Sequence, residues 1–165
     1  MASASAKTLE QPTVETVSGA WRVVGTLTKV QTGQREELYN LTQLVRDFVR
    51  SSGVKAGMVV ISSLHTTSAI FISEWQDALI HDVKTCLADV VSRDSYYRHN
   101  DPAHSDCDRR NADSHLRTVL LGVSLTLQIA GGDVVLGEWQ SVVMAELDGP
   151  RERSVRLQAM GIASE

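Results

Sequence analysis

The last forty or so residues constrain the fold most. They run "VSLTLQIA", then a Gly131-Gly132-Asp133 turn, then "VVLGEWQSVVMAEL", an Asp148-Gly149-Pro150 turn and "RSVRLQAMG". β-Branched residues dominate the runs and turn formers separate them, which marks strands and not helices. The Gly-Gly-Asp turn predicts a hairpin, and the last run predicts a closing strand. Consecutive strands joined by tight turns pair antiparallel.

The earlier chain mixes both periods. Residues 13–30, ending in "WRVVGTLTKV", read as two strands with Gly19 at a turn. Leu38, Leu41, Leu44, Val45, Phe48 and Val49 recur at helical spacing, and Ser51-Ser52-Gly53 closes that run as a C-cap. "GMVVISSL" and "SAIFIS" are two strands joined at His65-Thr66-Thr67. A second helix is expected over 76–91 with Leu79, Val83, Leu87 and Val90 as its buried face, and a third over 112–121 ending at Gly122. The predicted class is α+β, a mainly antiparallel two-layer β arrangement with two to three helices.

At 165 residues the chain fits one domain with a real core. A polar tail is expected over 1–12 and a single domain over 13–165. The tail lacks the apolar stretch of a secretory signal. Two cysteines are too few for a disulfide framework and point to a reduced, cytoplasmic setting. No apolar run has membrane-spanning length. A net charge of −4 speaks against a general nucleic-acid binder.

Between the second and third helices lies "SRDSYYRHNDPAHSDCDRRNADSH", a polar stretch without periodicity. Loops of this length in compact domains carry function or are disordered. Its two tyrosines, three histidines, five aspartates and four arginines favour function. Imidazole ligates transition metals and serves as a base near neutral pH. His99, His104, Cys107 and His115 follow H-x4-H-x2-C-x7-H, which is no standard zinc spacing. Glu74, Asp82 and Glu146 each follow an apolar run and could orient a histidine or bind Mg2+; a solvated element end is the bland alternative. Arg109, Arg110, Arg151 and Arg153 offer planar forks for phosphate, or simply charge a turn. The chain has no Walker A loop, no G-x-G-x-x-G and no G-x-S-x-G elbow.

Three stretches, "LHTTSAIFISE", "NADSHLRTVLLGVSLTLQIAGGDVVLGEWQ" and "ELDGPRERSVRLQAMG", together resemble the YjbQ-like family of secondary thiamine-phosphate synthase-like proteins. The resemblance spans Val14 to Gly161. It implies two packed sheets, a homotrimer, and a site at a subunit boundary. It also implies weak or promiscuous thiamine-phosphate synthase activity, joining a hydroxymethylpyrimidine diphosphate to a thiazole phosphate with release of pyrophosphate. Matched to the family motifs, His65, His99 and His115 would hold a divalent metal, Zn or Mg. Thr66, Thr67, Ser114, Gln140 and Arg153 would bind substrate phosphate, and Glu74, Asp82 and Glu146 would do acid-base work. Glu138 and Ser73 stand where the family usually has threonine and asparagine. The competing readings are a non-catalytic trimer that binds a metal or phosphorylated ligand, and a metal-dependent hydrolase.

Overall fold

The computed structural model describes residues 16–163, so the expected tail over 1–12 lies outside the described residues. Eight strands and three α-helices follow in the order β1 (Ala20–Gln31), β2 (Glu37–Asn40), α1 (Thr42–Ser52), β3 (Val54–Ser63), β4 (Ser68–Ser73), α2 (Asp77–Val90), α3 (Ala112–Leu121), β5 (Ser124–Ala130), β6 (Asp133–Val134), β7 (Ser141–Glu146) and β8 (Glu152–Ala163). A single 3-10 turn, Arg98–Asn100, interrupts the long polar loop.

The strands form two antiparallel sheets. The larger has the order β1-β8-β3-β5-β6 and the smaller β2-β7-β4. The closing strand β8 is interior, paired with β1 on one side and β3 on the other. The main core lies between the sheets and α1. Val59, Ile61, Val155, Leu157 and Ala159 meet Ile70, Val142 and Met144, with Val45 and Val49 from α1. A second apolar cluster lies on the far face of the small sheet, where Ala69, Val143 and Ala145 meet Leu87 of α2 and Leu147. The small sheet is thus covered on both faces. This explains why "VVMA" is a continuous apolar run and not an alternating one.

The expected α+β class and antiparallel sheets are present, but several boundaries differ. Among the described residues, the segment read as two strands holds one, and Thr16–Ser18 precede it without strand structure. Leu38, placed in the first helical stripe, belongs to β2, while Gly53 does cap α1 with φ 73°. The Gly-Gly-Asp hairpin is real but stops after two residues of β6; the chain then crosses to the other sheet as β7. Strand signals are local, whereas sheet membership depends on which apolar face meets which core. The helix α2 buries only Leu87 of the four residues expected, and Val90 is 65% exposed.

Gly57 and Gly161 face each other across β3 and β8. A Cβ on Gly161 would lie 2.1 Å from the Ala56 carbonyl oxygen, and one on Gly57 would lie 2.1 Å from that of Met160. Only glycine permits this backbone approach.

Candidate functional site

The His65-Thr66-Thr67 corner leaves the large sheet at β3 and enters the small one at β4. Its three side chains take three different paths. Thr67 is buried and its Oγ1 accepts from Arg153 Nη2 at 3.0 Å. Arg153 also donates through Nε to Glu146 Oε2 at 2.5 Å, and Nη2 donates to Glu146 Oε1. Thr32 Oγ1 at 3.1 Å and the Asp148 N–H at 2.7 Å complete the shell of Glu146. Arg153 is 1% and Glu146 0% exposed. The phosphate-binding fork and the acid-base carboxylate expected from the sequence are therefore spent on each other. A charged pair out of water is held by its mutual bonds, and here it ties β7 to β8 and to the corner.

His65 is half-buried, and its Nε2 accepts the Ser154 N–H at 2.7 Å. An imidazole nitrogen that accepts carries no proton, so neutral His65 bears its proton on Nδ1. Burial, then the nearby Arg153 charge, push its pKa below the ordinary histidine value.

Thr66 is exposed and lines a cavity of about 460 Å³ with His115, Thr118 and Val119. His115 projects from the first turn of α3 and also lines a second cavity of about 350 Å³ with Tyr97, Arg98, His99, Ala112 and Leu116. The His99 and His115 rings meet edge to face with centroids 5.0 Å apart. Burial, then the charge of His99, lower the His115 pKa; the Asp148 charge and a hydrogen bond to the Thr66 backbone oppose the shift. Both His65 and His115 are thus poised as neutral imidazoles near pH 7. Ser114, fully buried, donates to the Leu147 carbonyl oxygen and fixes the start of α3 against the small sheet.

The second gathering of charge centres on Asp148, a residue the sequence reading used only as part of a turn. Asp148 is 1% exposed. Its carboxylate accepts from Arg151 Nη2 at 2.8 Å, Asn111 Nδ2 at 2.8 Å, Arg109 Nε at 3.0 Å and Arg35 Nη1 at 3.4 Å. Arg35 also donates to buried Asp113 at 3.5 Å. Three guanidiniums from three separate segments share one carboxylate, an arrangement no local spacing signals.

The other expected site residues lie apart from the histidine pair. Glu74 is exposed past the end of β4. Asp82 lines an apolar cleft of about 400 Å³ between β4 and α2. Gln140 is exposed and its side chain accepts the Gly137 N–H at 2.8 Å, closing the turn before β7. For a metal, His99 and His115 could supply two ligands. His65 spends its Nε2 on the Ser154 N–H, and no three His, Cys, Asp or Glu groups gather as a ligand set among the described residues. The donor set of one chain does not fit the three-histidine site expected.

The family model described as "UPF0047 protein YjbQ-like" matches residues 26–162. A UPF0047 protein of Methanothermobacter thermautotrophicus is 42% identical over 132 residues, covering 80% of this chain and 88% of that one. UPF0047 protein YugU of Bacillus subtilis is 31% identical over 137 residues, covering 81% and 96%. Among solved structures, a YbjQ-like protein of unknown function from Sulfolobus solfataricus P2 superposes with a TM-score of 0.80 at 31% identity, covering 86% of this chain and 99% of that one. A hypothetical protein from Aeropyrum pernix K1 does so with a TM-score of 0.76 at 28% identity, covering 84% and 98%.

Proposed function

The chain belongs to the UPF0047 YjbQ-like family, and within it we propose that the His99–His115 pair works on a phosphorylated small molecule. The reaction class we assign is the thiamine-phosphate synthase condensation, weak or promiscuous. The observation that carries this reading is the edge-to-face imidazole pair, 5.0 Å between centroids, where His115 lines two cavities at once.

In that condensation the thiazole ring nitrogen gives its electron pair to the pyrimidine methylene carbon. The bond from that carbon to the diphosphate oxygen breaks, and pyrophosphate leaves with the electrons. No proton has to be removed. The demand on the protein is to orient two ring systems and to stabilise charge on the leaving group. Imidazole N–H groups supply hydrogen-bond donors for the leaving diphosphate. Apolar side chains such as Leu116 and Val119 suit the flat faces of heterocycles.

The test is pyrophosphate release from hydroxymethylpyrimidine diphosphate and thiazole phosphate. His99→Gln and His115→Gln are each expected to lower the rate by about 100-fold, the scale of a lost hydrogen-bonding or acid-base group. Equal rates in both variants and the parent sink the reading.

One observation favours a non-catalytic alternative. Two of the three carboxylates expected to do acid-base work stand elsewhere: Glu146 is buried in its ion pair and Asp82 lines a different cleft. A phosphate-ligand or metal-binding protein needs neither. Elemental analysis separates the metal version. Near-stoichiometric metal that disappears in His115→Gln supports it, and metal-free protein removes it.

The same reading includes a homotrimer. Trp21, Val23, Leu27 and Met58 are exposed on one face of the large sheet, and Val119 and Leu120 are exposed on α3. Exposed apolar side chains in such number are what subunit contacts cover.

A further inference from the structure

The histidine cavity shares a wall with a larger one. A cleft of about 540 Å³ opens on the other side of Tyr97, which lines both. The 3-10 turn Arg98–Asn100 divides them: His99 lines the histidine cavity and Asn100 the larger one. Asn100 Oδ1 also accepts the Ala112 N–H at 3.0 Å, so the partition is tied to the start of α3.

Three arginines, Arg93, Arg109 and Arg110, line the larger cleft. Arg109 is held in place. Its Nε donates to buried Asp148 Oδ2 at 3.0 Å and its Nη2 to the Asp148 carbonyl oxygen at 3.4 Å, which leaves Nη1 without a partner among the described residues. Asp148 does not neutralise it, because Arg35 and Arg151 draw on the same carboxylate. Arg110 has φ 49°, an uncommon backbone state for a long side chain and one that accumulates at ligand sites. Two carboxylates, Asp94 and Asp101, also line the cleft. Asp101 is already satisfied by the Tyr96 hydroxyl at 2.7 Å and the Ala103 N–H at 2.9 Å. The cleft thus offers one fixed and two exposed guanidiniums, with Tyr96 and Tyr97 at its side.

We propose that this cleft is the phosphate end of the site, binding the diphosphate of a small molecule whose ring lies across Tyr97 beside His99 and His115. Guanidinium forks match phosphate oxygens two at a time, and a fork pinned by a buried carboxylate loses little freedom on binding. Arg153, the phosphate residue expected from the sequence, takes no part. The placement of the ring rests on the histidine reading above; the anion site does not.

The experiment is calorimetric titration of the full chain with inorganic pyrophosphate. Arg109→Ala and the double variant Arg93→Ala/Arg110→Ala are each expected to weaken binding by about tenfold or more, as for a lost charge-assisted contact. Arg46→Ala is the charge-matched control, since Arg46, on α1, pairs with Asp133 of β6 and is not part of the cleft. It should leave affinity unchanged. The double variant alters only exposed side chains, so it tests the cleft even if Arg109→Ala unfolds. No binding by the parent, equal loss in Arg46→Ala, or full affinity in the double variant overturns the proposal. Pyrophosphate binding with this pattern but without turnover keeps the cleft and removes the synthase reading. Turnover indifferent to these arginines does the reverse.

Discussion

Arg153 and Glu146 face each other in the interior as a two-pronged ion pair, with Thr67 and Thr32 completing their shells. Each is buried and bonded to the other, so each depends on its partner. Arg153→Ala leaves a carboxylate buried without its partner, which costs about 3–5 kcal/mol. Denaturant unfolding should show that loss. Replacing both residues by leucine should cost less than the single change, because no lone charge stays inside. A stable Arg153→Ala protein with weakened phosphate binding would return Arg153 to the ligand site.

His65 makes stability depend on pH. Its folded pKa lies below the ordinary value near 6.5, because burial and Arg153 disfavour the cation. The unfolded state therefore takes up its proton first as pH falls. Stability is unaffected by this group well above that value and declines as pH drops through the unfolded pKa toward the folded one. Protonation also removes the Nε2 acceptor that holds the Ser154 N–H. Thermal melts from about pH 7.5 to 5 should fall, and His65→Gln should flatten the decline. An unchanged slope in the variant would assign the effect to other groups, His115 first, since it is shifted the same way.

Gly161 is expected to be intolerant of any side chain. Gly161→Ala places a methyl 2.1 Å from the Ala56 carbonyl oxygen at a φ of 154°. The strands β3 and β8 must part locally, and a loss above about 3 kcal/mol follows from strain and lost pairing. Expression and melting temperature report it. A near-neutral Gly161→Ala would mean the two strands pair less closely here.

The open apolar face predicts self-association. Light scattering on the purified 18.0 kDa chain should give about three times that mass. Val23→Glu puts a charge on the exposed face of β1 and should yield monomer without changing the circular dichroism. A monomeric parent protein would sink the trimer.

Much of this architecture is written locally. Gly53 stops α1 because an αL residue is needed there and glycine adopts it freely. The helices α2 and α3 sit within a residue of where periodicity places them. His99 and His115, sixteen positions apart, were recognisable as candidates because several histidines gather in and beside one polar loop and match the family motifs. Their edge-to-face meeting was not, since it depends on a 3-10 turn folding back onto the start of α3.

By itself the sequence determined the three helices and most of the strands, the antiparallel character and the loop that carries the histidines, because each of these depends on residues close along the chain; the short strand β2 was not among them. Tertiary structure decided what the charged groups do. Arg153 and Thr67 are 86 positions apart, and Arg35 and Asp148 are 113 apart. Whether an arginine meets a ligand or a buried carboxylate depends on how two sheets bring distant segments together, and the cost of burying charge forces partners that no spacing announces.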